Sequence, residues 1–176
     1  MNKFLLIFTI IFCACSAPNK KYEFNLQSVD KNVTLSDLKG QNLVVYFGYT
    51  FCPDVCPTTL AIVSNVLKKN GLENSYKIVF ISLDPERDTP AKMQEFANYF
   101  YANSIALVPH SLDELNTITQ NYGIIYKKVE MPDSAMKYSI AHSNGLFVFD
   151  KDLNFKGAIT NLTQDELQNK LSSWAK

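Results

Sequence analysis

Residues 42–57 read Asn-Leu-Val-Val-Tyr-Phe-Gly-Tyr-Thr-Phe-Cys-Pro-Asp-Val-Cys-Pro. The first eight, Asn42 to Tyr49, form a continuous apolar run without alternation. That pattern suits a central strand buried on both faces. Beyond the cysteines, Thr58 to Asn70 places Leu60, Ile62, Val63, Val66 and Leu67 at helical spacing, and Asn70-Gly71 stops the pattern. Cys52 and Cys56 therefore fall between the end of a buried strand and the start of a helix. In open α/β sheets that is where ligands sit.

Working outward, Tyr76 to Leu83 reads as a second buried strand. Thr89-Pro90 opens a helix to about Ala102, with proline at its first position. Ser111 to Glu114 is a capping box before a helix with Leu112, Leu115 and Ile118 on one face. Strands are expected at Ile124–Val129, Gly145–Phe149 and Leu153–Ile159. Thr163 to Glu166 is a second capping box, leading a helix with Leu167, Leu171 and Trp174 on one face. Upstream, Tyr22–Leu26 and Val33–Leu35 flank the turn Asp30-Lys31-Asn32, which predicts a hairpin, and Ser36–Leu38 predicts one helical turn. Strands alternating with helices imply an α/β sandwich. A strand, a cysteine-bearing turn and a helix in succession resemble the thioredoxin-like folds. The expectation is a three-layer sandwich with an N-terminal β-hairpin and an inserted hairpin.

The chain opens with Met1, Asn2 and Lys3, followed by an apolar stretch, Phe4 to Cys15, of 12 residues. A membrane-spanning helix needs about 20. One cation and a short apolar core read as a signal peptide. A cut between Ala14 and Cys15 resembles bacterial lipoprotein processing, with lipid on Cys15, although Phe12 stands where leucine is usual. An uncleaved anchor and ordinary secretion are the other readings. The favoured division is a signal peptide at 1–14, a tether at 15–21 and one folded domain at 22–176, on an exported, membrane-anchored lipoprotein facing the periplasm or cell exterior.

Lys plus Arg and Asp plus Glu both number 17, so the net charge is zero. This argues against nucleic acid as a partner, which needs a basic surface, and against a polybasic membrane patch. With 12 Phe and 9 Tyr the chain can bury a core and is not a disordered polypeptide. Four cysteines are too few for a disulfide scaffold. If the signal is removed and Cys15 lipidated, Cys52 and Cys56 are the only thiols left.

Their C-x₃-C spacing puts them near a helix N-terminus, where free N–H groups and the dipole favour thiolate. Side chains four apart on a helical turn are neighbours, so two thiolates can meet one metal or close a disulfide. A purely structural disulfide would close so short a loop that it would stabilise little. Pro53 and Pro57 stiffen the turn.

A metal needs a third ligand, and the chain has only His110 and His142. His142 stands just before the strand at 145–149, where it can face the cysteine-bearing helix, although a lone histidine is more often structural. His110 lies beside a capping box and reads as a loop or cap residue. Met131 and Met136 bracket a loop near His142; core filling or exposure is the ordinary role for them, with thioether ligation the alternative. Two thiolates and an imidazole suit Cu(I), and Cu(II) if a fourth group or water joins. Structural zinc asks for four protein ligands.

Three blocks resemble the Sco/SenC family: Tyr46 to Pro57, Ser82-Leu-Asp-Pro-Glu-Arg-Asp-Thr-Pro90, and His142-Ser143 with the apolar strand that ends at Asp150. The resemblance implies Cys52, Cys56 and His142 as copper ligands. It implies a copper chaperone, not an enzyme, that helps assemble the dinuclear CuA site of cytochrome c oxidase. The implied partners are the oxidase subunit carrying that site and a copper donor protein. The alternative is a thiol–disulfide oxidoreductase that reduces client cysteines through Cys52 and Cys56; His142 separates the two, since exchange needs only the thiols. Peroxidase-like chemistry is a third reading, without a separate peroxidatic cysteine to support it. Phe51 is a departure at a variable position. The hairpin turn lacks the family's usual glycine, so Asn32 is expected in a permissive conformation. Ser104 to Ser111 lacks a Thr-Gly pair that many relatives have. Asp84 reads either as a group beside the copper loop or docking charge, or as a strand terminator with Arg87 and Asp88 forming a surface ion pair. Asp54 reads as a helix N-terminal charge or a partner contact.

Overall fold

The computed structural model describes residues 20–175. The expected signal peptide, most of the tether and the Cys15 lipid site lie outside the described residues. The strands are β1 (Asn25–Gln27), β2 (Asn32–Thr34), β3 (Asn42–Gly48), β4 (Tyr76–Ser82), β5 (Ser104–Leu107), β6 (Tyr126–Met131), β7 (Lys137–His142), β8 (Leu146–Phe149) and β9 (Phe155–Ile159). The helices are α1 (Val55–Lys69), α2 (Pro90–Phe100), α3 (Leu112–Tyr122) and α4 (Gln164–Trp174).

Five strands form the central sheet in the order β5-β4-β3-β8-β9. The pairs β3–β4 and β4–β5 are parallel, whereas β3–β8 and β8–β9 are antiparallel. Every residue of β3 is buried, as its unbroken apolar run requires. Its side chains alternate between two layers. Tyr46 stacks on Phe80, which stacks on Phe96 of α2, and Tyr76 on the same face of β4 donates its hydroxyl hydrogen to the Leu171 carbonyl of α4. Phe47 points the other way and meets Tyr122 of α3 edge to face. The result is the expected thioredoxin-like three-layer α/β sandwich, with β1–β2 as the N-terminal hairpin and β6–β7 as the inserted one.

Several local expectations change. β5 is a strand where the sequence suggested none, and β7 occupies what read as a loop leading to His142. α1 begins at Val55, three residues before Thr58, and so takes Cys56 into its first turn. Ser111 caps α3 as expected, accepting from the Glu114 N–H, but the Glu114 carboxylate returns to the His110 N–H, one residue upstream of the cap. Thr163 makes no side-chain cap to α4. Asn32 does not turn left-handed; it sits within β2 and its side-chain carbonyl meets His110 Nε2 at 3.1 Å.

Candidate metal centre

Cys52 and Cys56 are free thiols, 9% and 0% exposed. Because α1 starts at Val55, the Cys56 N–H has no carbonyl four residues back within the helix; it donates to Cys52 Sγ at 3.3 Å. Donation from the Cys56 thiol is the main cause that holds the Cys52 thiol well below its ordinary value. The Cys56 and Asp54 N–H groups add to it against burial. The same bond, with burial, pushes the Cys56 thiol up. Cys52 is therefore the anionic sulfur and Cys56 its proton-bearing partner.

Packing fixes Cys56 closely. A β-carbon on Gly48 would lie 2.9 Å from Cys56 Sγ and 2.7 Å from the Phe80 ring, so only glycine lets β3 pass at this distance.

His142 ends β7, and its Nε2 stands 3.9 Å from Cys56 Sγ. Its Nδ1 lies 3.0 Å from the Ser143 carbonyl, which assigns the ring proton to Nδ1 and leaves the Nε2 lone pair toward the sulfur. The imidazole stands edge to face with Tyr49, whose hydroxyl accepts from the Ile140 N–H. An open cleft of about 340 Å³ separates Cys52–Val55 from Ser139–His142.

The donor set fits a soft metal ion. Bonds of about 2.3 Å to sulfur and about 2.0 Å to imidazole nitrogen can span a gap of 3.9 Å with the ion slightly off the connecting line. Among the described residues, no three His, Cys, Asp or Glu side chains are drawn tightly enough to cage an ion as they stand.

The remaining sequence candidates divide. His110 bonds Glu114 and Asn32, a cap role far from the cysteines. Neither Met131 nor Met136 lines the cleft. Asp54 sits at the start of α1, where its carboxylate reaches Thr58 Oγ1 at 3.4 Å and caps no N–H. Asp84 is buried and pairs with Arg87. The expected surface pair of Arg87 with Asp88 does not form. Asp88 is 4% exposed and accepts from Ser82 Oγ, Thr50 Oγ1 and Thr50 N–H, because a buried carboxylate must be hydrogen-bonded. Tyr49, to which the sequence assigned no role, lines the cleft, and Arg87, expected only as half of a surface ion pair, bonds the Met136 and Tyr138 carbonyls instead; their positions inside the two resembling blocks were the available signal.

The SCO1/SenC family model matches residues 15–176. The chain belongs to the SCO1/SenC family. The Protein SCO1 homolog 1, mitochondrial, of Arabidopsis thaliana is 34% identical over 71% of this SCO1/SenC chain and 37% of its own length. This chain spans about two thirds or less of the first curated relatives it matches. The Bradyrhizobium japonicum ScoI structure with copper bound superposes with a TM-score of 0.73 at 35% identity, over 86% of this chain and 97% of that one. A second structure, BsSco, is described as showing a disulfide switch in a member of the Sco family of cytochrome c oxidase assembly proteins. It superposes with a TM-score of 0.63 at 25% identity, over 87% of this SCO1/SenC chain and 91% of its own.

Proposed function

We propose that this SCO1/SenC protein binds copper as cargo through Cys52, Cys56 and His142 and hands it to the CuA-bearing subunit of cytochrome c oxidase. The observation that carries the reading is the 3.9 Å approach of His142 Nε2 to Cys56 Sγ beside the anionic Cys52, across an open cleft. Copper-bound relatives support it. Two thiolates and one imidazole leave a position at which an incoming thiolate can attack, so transfer proceeds by ligand exchange without turnover of a substrate. The copper comes from a donor protein. Lipid on Cys15 holds the domain at the outer face of a membrane.

The test is a titration of the reduced full-length chain in mild detergent with Cu(I) and Cu(II), alongside His142→Ala. Stoichiometric binding that weakens strongly in the variant supports the reading. Unchanged affinity in His142→Ala overturns the three-ligand site.

The asymmetry of the thiols favours a second reading, thiol–disulfide exchange. Cys52 thiolate would attack a client disulfide, forming a mixed disulfide and expelling one client thiolate. Cys56, once deprotonated, would attack Cys52 Sγ, forming the 52–56 disulfide and releasing the second client thiol, so that two electrons pass to the client. If no copper binds while the thiols exchange readily with a disulfide substrate, this reading replaces the first.

A further inference from the structure

Among the described residues, the hairpin that bears His142 pairs only with itself and shares no ladder with the central sheet. Its position relative to the cysteines must come from other contacts. Most of them converge on the loop between β4 and α2, residues 83–89.

Arg87 Nη1 donates to the Met136 and Tyr138 carbonyls, both at 3.0 Å, while its Nε donates to Asp84. Its guanidinium carbon lies 3.5 Å from the Tyr138 ring centroid and 4.6 Å from that of Phe51, the neighbour of Cys52. The Tyr138 hydroxyl donates to Asp84 Oδ1 at 2.8 Å. Tyr138 is thus held by its face, its hydroxyl and its own carbonyl, and it stands four residues before His142 on the same face of β7. From the next position in the loop, Asp88 grips the Thr50 N–H and hydroxyl, two residues before Cys52. One loop therefore grasps both halves of the site.

Stability alone does not account for this arrangement. A buried ion pair often contributes no more than apolar residues of the same volume. What Arg87 adds is geometry: a planar fork that binds a carboxylate and two carbonyls at fixed angles, which no apolar side chain reproduces.

We infer that Arg87 is a positioning residue for the metal site: with Asp84 it fixes the β6–β7 hairpin so that His142 stands at copper-bridging distance from Cys56. The inference rests on the copper reading above. The test is a double-mutant cycle on the reduced full-length chain in mild detergent, with Arg87→Ala, His142→Ala and both together. The readouts are Cu(II) affinity and the thiolate-to-Cu(II) absorption and paramagnetic resonance spectra. Arg87→Ala is expected to weaken copper binding about 10- to 100-fold. Its spectra should move toward those of His142→Ala, while both thiols remain titratable and the circular dichroism is unchanged. The double variant should bind no more weakly than His142→Ala alone, because Arg87 acts through the imidazole. Wild-type spectra and affinity in Arg87→Ala, or losses that add in the double variant, overturn the inference. If Arg87→Ala does not fold, Arg87→Lys enters the same cycle under the same criteria, since lysine keeps the charge but cannot make the fork. A wild-type chain that ignores copper, or a His142→Ala chain that binds it normally, fails the site reading itself and is thereby told apart from a failure at Arg87.

Discussion

Gly48 and Cys56 meet where β3 passes the first turn of α1, so closely that a β-carbon added to the glycine would stand 2.9 Å from the sulfur. Gly48→Ala therefore presses on Cys56 and Phe80 together. Overpacking of this kind costs about 1–3 kcal/mol. The expected result is a lower denaturation midpoint with unchanged slope, and weaker copper binding through a displaced Cys56. Full stability and full affinity in this variant would contradict the packing described for Cys56.

The two thiols give the reduced, metal-free protein a distinctive dependence on pH. Cys52 is lowered to about 5 in the folded state, against about 8.5 for a free thiol. Between those values the unfolded chain holds a proton there that the folded chain lacks, so stability rises with pH and is lost as pH falls through about 5. Cys56 is raised, so its contribution is present below about 8.5 and declines above it. Denaturation midpoints from pH 4 to 10 should climb and then fall, and Cys52→Ser should abolish the climb. Alkylation at pH 6 should label Cys52 and spare Cys56; equal labelling would refute the asymmetry.

Tyr49→Phe removes the hydroxyl that accepts from the buried Ile140 N–H. An orphaned buried donor costs about 1–3 kcal/mol. Amide exchange at Ile140 should quicken more than at Val45 in β3. Uniform protection across both strands would show that the hydroxyl does not hold β7.

Lipid on Cys15 predicts that the full chain sediments with membranes and that Cys15→Ser either leaves it uncut or releases it. An unchanged mass and membrane fraction in Cys15→Ser would favour an uncleaved anchor.

Elements are legible in the sequence where local pattern and burial coincide. β3 shows nothing but apolar residues on either face after Asn42, and α1 carries an apolar stripe from Leu60 to Leu67, so both are visible without any neighbour. β5 is four residues long and half of it is only partly buried; its pairing with β4 creates it. β7 alternates Tyr138, Ile140 and His142, but Lys137 enters it with φ at 62° and the strand is stabilised by Tyr49 and Arg87, partners far away in sequence. Cys52 and Cys56 were legible because they lie four positions apart between a buried strand and a helix. His142 was legible only by elimination and resemblance, because the contact with Cys56 spans 86 positions. The choice of Asp84 over Asp88 as partner to Arg87 was invisible for a related reason: both are near in sequence, and only the tertiary demand of Thr50 and Ser82 claims Asp88.

The separate β6–β7 ladder also bears on solubility. β7 turns one edge toward Tyr49 and Arg87, which leaves the outer edge of β6 without a strand partner among the described residues. Unpaired edges invite another chain to add to the sheet, and charged side chains along the edge are a common deterrent. β6 carries Lys127, Lys128 and Glu130, all exposed, among Val129 and Met131. Lys128 is held by Glu86 and by the Tyr138 ring, so Lys127 is the lysine to change: neutralising it should promote self-association of concentrated protein while leaving Cys52, Cys56 and His142 untouched.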